Sequence, residues 1–324
     1  MKRAVLALAL ALAGALATPA RAYVRSQDAN TSVCLFWTSR DIHWRLSEPI
    51  DDLPFADVEA AVKQSFQTWH DATTPSGAHC SDMSFTYDGA TTRTDTGYDP
   101  NATNNINLVV FRTKNCDDPG VVPTGDPCEK DVFDHPFACA NKYDCWSHDP
   151  SAVALTTTDY NVNTGVIVDA DVEVNDTGAY HFTTYSLPGC DPDQAGSCGR
   201  TCNSNTDTDC IGWDVQNTVT HEIGHVLGLG HEQALCFQQD PTQDATMCPT
   251  ATNGDTDKRT LAPDDVAGLC AIYPKGAPPT TCTPSGHITI TSAPAGGCSS
   301  SGPAGLLALV LALAVVTLRR ERRT

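Results

Sequence analysis

Two periods alternate along the chain. Ser32 to Trp37 and Ile42 to Leu46 roughly alternate apolar and polar side chains, which predicts two half-buried strands. Between Asp57 and Trp69 the spacing changes: Val58, Ala61, Val62, Phe66 and Trp69 fall at i, i+3, i+4, i+8 and i+11, one face of an α-helix. Phe85 with Tyr87, Ile106 to Phe111, and Ala152 to Thr157 read as further strands. So does Gly165 to Val174, where Val166, Val168, Ala170, Val172 and Val174 mark one side. The helical period returns after Asp214, with Val215, Val219, Ile223, Val226 and Leu227 supplying a buried face and Asp214 a cap. Strand, helix, several strands, helix describes a mixed α/β (α+β) domain with a mixed sheet.

Two stretches break the pattern. Cys116 to Cys145 and Cys190 to Cys210 carry four cysteines each among Pro, Gly, Asp, Asn and Thr, and are expected as Cys-rich loops fixed by disulfides. Their spacing lacks paired Cys-x-x-Cys knuckles, which argues against a zinc ribbon.

The ends follow neither rhythm. Residues 1–22 have a basic start (Lys2, Arg3), an apolar run from Ala4 to Ala17 and the close Ala20-Arg21-Ala22, the layout of a secretory signal peptide. Residues 276–297 are rich in Pro, Thr, Ser and Gly and read as a linker. Residues 298–324 join Cys298 to a short hydrophobic helix, Ala304 to Leu318, and an Arg tail. That run is marginal for a full bilayer crossing, so transient membrane association through the C-terminal helix is the expectation. The arrangement resembles bacterial C-terminal sorting signals of the MYXO-CTERM type, which implies processing near Cys298; a plain C-terminal membrane helix is the alternative. The folded body is expected over residues 23–275.

Composition supports export. Among 324 residues there are 15 cysteines, far more than a reduced cytosolic protein has reason to carry. Setting Cys298 aside leaves an even number for bridges. The formal net charge of −19 argues against a nucleic-acid partner. Removing the two terminal addresses leaves 13 basic against 38 acidic residues, so the acidity belongs to the body and linker. The expected location is secreted, extracellular or at the cell surface of a bacterial envelope.

The candidate chemistry lies on the second helix, His221-Glu222-x-x-His225-x-x-Gly228-x-x-His231. His221 and His225 are one turn apart on the same face, so both imidazoles can reach one ion. Gly228 can leave the helix in a left-handed conformation and bring His231 back as a third ligand. Three neutral imidazoles suit Zn²⁺ and leave one position open, the arrangement of a catalytic site. Glu222 then stands as general base for a water.

This run is the zinc signature of the metzincins, and Ala245-Thr246-Met247-Cys248-Pro249 looks like their Met-turn, with Met247 as a hydrophobic floor. Among metzincins the chain resembles the matrixins. Leu261 to Tyr273 looks like their closing helix, Val58 to Trp69 like their first, and Gly165 to Asp171 like their strand ending in Asp-Ala-Asp. The resemblance implies a metzincin (zincin-like) catalytic domain: a twisted mixed sheet, an active-site helix, a C-terminal helix and Cys-rich insertions. It also implies a zinc endopeptidase whose protein or peptide substrate lies along an edge strand near Ala152 to Thr157. Asp171 stands where a second zinc would have a His ligand in the family, so the resemblance implies calcium near Asp169 and Asp171 in its place, with an ordinary solvated loop as the alternative. Cys248 replaces an aromatic residue, and no Pro-Arg-Cys-Gly-type cysteine switch follows Ala22. A non-catalytic zinc-containing surface adhesion module and a zinc hydrolase of non-peptide bonds are the competing readings.

Overall fold

A computed structural model describes residues 23–282 except 49, 51–52, 130–135, 185–200, 203–209 and 237–243, together with 299–300. The segment expected as a signal peptide, most of the one expected as a linker, Cys298 and the C-terminal hydrophobic run lie outside the described residues. Among the described residues no helix is long and apolar enough to cross a membrane.

Five strands form the central sheet: β1 (Asp41–Ser47), β2 (Ser84–Thr91), β3 (Asn107–Arg112), β4 (Ala154–Tyr160) and β5 (Ile167–Asn175). Their spatial order is β2-β1-β3-β5-β4, and β4 alone runs antiparallel to its neighbour. Helix α1 (Phe55–His70) connects β1 to β2 and packs on one face, with Val58, Ala61, Val62, Phe66 and Trp69 buried as their spacing requires. Ile42, Trp44 and Leu46 meet that face, as do Val109 and Phe111 of β3 and Ala170, Val172 and Val174 of β5. Trp44 stacks on Phe66 with ring centroids 4.1 Å apart. Helix α3 (Val215–Val226) lies in the same layer, against α1, β4 and β5.

The opposite face of the sheet is also covered, which the alternation along β5 did not predict. Val168 is exposed, whereas Asp169, Asp171, Glu173 and Asn175 on the polar side are all buried. Asp171 is met by the Gly97 amide and Asn175 donates to the Ala152 carbonyl, while over Glu173 lies the first Cys-rich stretch. It is bridged as Cys116–Cys145 and Cys128–Cys139, and it contains the short helix α2 (Pro136–Tyr143) instead of being loop throughout. Asn141 and Asp144 bind the wholly buried Arg112 of β3 at 3.3 and 3.0 Å, and Arg112 donates to Glu173 at 2.6 Å. Polar groups, and not an apolar face, fasten this layer.

The expected strand at Ser32 to Trp37 does not form; the segment makes only isolated bridges, Gln27 to Cys34 and Phe36 to Val166. Cys34, Leu35, Phe36 and Trp37 are buried in succession, so the chain threads the core, and the Trp37 amide donates to the Tyr273 hydroxyl. The body also extends beyond residue 275. A Cys34–Cys282 bridge and an Arg25 hydrogen bond to the Thr280 carbonyl fasten the chain as far as Cys282. Helix α4 (Pro263–Ile272) closes the body, held by Cys80–Cys270. The remaining described bridges are Cys202–Cys210 and Cys236–Cys248.

Candidate metal centre and active site

Helix α3 begins where its sequence requires. Asp214 accepts the Asn217 amide at 2.7 Å, and Arg259 donates to both Asp214 oxygens at 2.7 and 2.6 Å, which neutralises the buried cap. Val215, Val219, Ile223 and Val226 anchor the helix in the core. The helix ends at Gly228, whose φ of +83° is the left-handed conformation that turns the chain toward His231.

The three histidines converge. His231 Nε2 lies 3.2 Å from His221 Nε2 and 3.2 Å from His225 Nε2. His221 Nδ1 donates to the Thr246 carbonyl at 2.6 Å and His225 Nδ1 to the Leu229 carbonyl at 2.8 Å. Those bonds put the ring proton of His221 and His225 on Nδ1 and turn their Nε2 atoms toward His231. Burial, the nearby Lys258 ammonium and the two other imidazoles hold His221 well below the usual imidazole range, so it stays neutral. Three imidazole nitrogens converging this closely suit a shared cation. Tetrahedral zinc with bonds of about 2.0–2.1 Å separates its ligands by about 3.3 Å, so the donor set fits zinc in type and spacing. Among the described residues, this is the one group of three such side chains placed to hold a metal.

Glu222 is wholly buried on the same helix turn, and its Oε2 accepts the Thr156 hydroxyl of β4 at 2.7 Å. Met247 lies beneath: a Cβ on Gly224 would come within 2.1 Å of its sulfur, so Gly224 lets the helix settle on the Met-turn. Asp265 of α4 fixes that turn by accepting the Thr246 amide at 2.7 Å and the Met247 amide at 3.3 Å. Lys258 donates to the Cys248 carbonyl and lies 3.5 Å from His221 Nδ1. Cys248 itself is bridged to Cys236, so the residue after Met247 is a staple of this wall.

The resemblance pointed to Met247, and sequence spacing to the histidines, Glu222 and Gly228, as candidates that the structure brings together. It did not find Thr156, Lys258 or Asp265, which reach the site from other elements and have no local signature. The calcium expectation gains nothing from the geometry. Both Asp171 oxygens accept backbone amides, from Leu108 at 2.8 Å and Gly97 at 2.5 Å, and burial pushes Asp169 up to about 7 and Asp171 upward beside it. Asp171 works as an anchor between strand and loop.

Gly228 allows a direct check. A Cβ there would stand 2.5 Å from the Leu35 carbonyl oxygen, and a non-glycine residue at this φ costs about 1–2 kcal/mol before any clash. Gly228→Ala is expected to lower stability by more than about 2 kcal/mol and to weaken zinc retention by displacing His231. Chemical denaturation and metal analysis would measure both; wild-type values would show that the bend does not depend on glycine.

Residues 146–274, less than half the chain, match the matrixin family of peptidases, a span that includes β4, β5, α3, the Met-turn and α4. Human matrilysin is 39% identical over 70 residues, covering 22% of this chain and 23% of that protein. Metalloendoproteinase 5-MMP of Arabidopsis thaliana is 40% identical over 60 residues, 18% of this chain and 14% of its own. The chain thus matches under a quarter of either relative's length. The mixed sheet and helices have the architecture expected of a metzincin catalytic domain.

Proposed function

We propose that the protein is an exported zinc-dependent endopeptidase in which His221, His225 and His231 hold the metal and Glu222 is the general base and acid. The observation that carries this reading is the convergence of three imidazole Nε2 atoms beside a buried carboxylate of the same helix. Zinc, when bound, supplies Lewis acidity that polarises a peptide carbonyl and makes water easier to deprotonate. Glu222 accepts the proton of the attacking water and returns it to the leaving amine. Among the described residues β4 is the edge strand of the sheet, along which an extended peptide can add as a further strand, and β4 lies against α3, so the scissile bond is brought to the site. His221 and His225 keep their rings oriented through Thr246 and Leu229, and Met247 supports the helix from below.

Export is part of the same proposal. Residues 1–22 act as the leader, residues 298–324 as the sorting segment with Cys298 as its processing residue, and the substrates are extracellular proteins or peptides. Six disulfides among the described residues suit an oxidising compartment.

The test is metal analysis of the purified protein with a peptide-library digest, with and without a chelator. About one zinc per chain is expected, with cleavage abolished by the chelator and restored by added zinc. Absence of zinc, or cleavage that ignores the chelator, would overturn the proposal.

A further inference from the structure

We propose that Thr156 is a positioning residue for Glu222, tying the base to the strand along which the substrate pairs; the inference rests on the peptidase reading above. Thr156 is the third residue of β4, the edge strand of the sheet. Side chains alternate on that strand: Ala154 joins the core under α3, while Leu155 packs with Trp146 and Ala152 on the other side. Thr156 therefore faces the helix, and its hydroxyl donates to Glu222 Oε2 at 2.7 Å and lies 3.1 Å from the Glu222 carbonyl oxygen. Both side chains are wholly buried, so water does not substitute for this bond.

Three physical points give the contact its role. A hydroxyl donating to a carboxylate in a buried site is a strong, short bond. A β-branched threonine has few χ1 states, so the donor is held stiffly by the strand. A general base must sit within hydrogen-bond reach of the proton it takes, and a displacement of about 1 Å can cost about 100-fold in rate. Because the donor is on β4, a peptide added to that edge and the carboxylate that serves it share one rigid reference. Three threonines stand in a row, Thr156, Thr157 and Thr158, but pleating sends Thr157, opposite Asp171, to the other face.

The experiment compares Thr156→Val, which keeps the shape and removes the donor, with Thr156→Ser, which keeps the donor. Thr156→Val is expected to lose about 10- to 100-fold in kcat with KM and zinc content unchanged, and Thr156→Ser to stay within about three-fold of wild type. If Thr156→Val does not fold, Thr156→Ala takes its place, with the same gap to Thr156→Ser expected. An independent readout is thermal unfolding of Thr156→Val, Glu222→Ala and the double variant, whose melting shifts should be non-additive because the residues share a hydrogen bond. Wild-type kcat in the donor-free variant, or additive melting shifts, would overturn the role of Thr156 while chelator-sensitive cleavage by the wild type leaves the peptidase reading standing. A wild type that cleaves nothing overturns that reading and this role with it.

Discussion

Replacing Glu222 with Gln is expected to lower kcat by about a thousand-fold, within the 10²- to 10⁴-fold range that positioned acid–base groups contribute. Gln has the same shape, and its side-chain carbonyl can still accept from Thr156, so the fold and the His221, His225 and His231 cluster should survive. What disappears is a group able to take a proton from water and pass it to the leaving amine. Single-turnover cleavage of a fluorogenic peptide, read beside zinc content, separates these effects. Unchanged zinc with turnover near wild type would remove Glu222 from the mechanism. The competing adhesion reading expects no turnover in either protein and no consequence from the change.

The largest effect on folding is expected at Arg112. Its guanidinium is wholly buried and donates to Glu173, Asp144 and Asn141, while His148 meets the second Glu173 oxygen at 3.0 Å. Removing one partner of a buried ion pair leaves the other charge desolvated, which costs about 3–5 kcal/mol. Arg112→Met should therefore destabilise by about that amount in urea unfolding. The double variant Arg112→Met with Glu173→Leu should recover much of the loss, because the carboxylate left without Arg112, that of Asp144, is partly exposed to water while the wholly buried one is gone. A single-variant loss under about 1 kcal/mol would show that the network does not hold the Cys-rich layer on the sheet.

The same network sets a pH dependence. Burial alone would push the Glu173 carboxyl up, but Arg112 and His148 outweigh it and hold the group at about 2. A depressed carboxylate stabilises fully above its unfolded value of about 4.3 and loses that contribution as pH falls through the folded value. Wild-type stability should thus decline between about pH 4.3 and pH 2, and less steeply once Arg112 is gone.

Helix α1, helix α3, the Gly228 turn and the histidine cluster were legible because they depend on geometry repeated within about a dozen residues. A helix turn sets His221 above His225, and one left-handed residue returns His231. The strands were legible as pieces, but a strand does not name its neighbours. The Ser32 to Trp37 segment alternates like a strand yet forms no continuous ladder: its hydrogen bonds go to Ser26, Gly165 and Tyr273, and only the Phe36 carbonyl meets the sheet, accepting the Ile167 amide at the start of β5. The cover over Glu173 was hidden because an acidic position on a strand looks solvated until Arg112, Asn141 and Asp144 are placed beside it.

By itself, then, local spacing in the sequence determined helices α1 and α3 and singled out the three histidines that converge, with Glu222 beside them as the candidate base. Tertiary structure alone decided which threonine reaches Glu222 across 66 residues, that Arg112 meets Glu173 across 61, and that Cys34 pairs with Cys282 across 248. Local covalent geometry fixes the first group; the second depends on sheet order and register, which exist only once distant strands have paired.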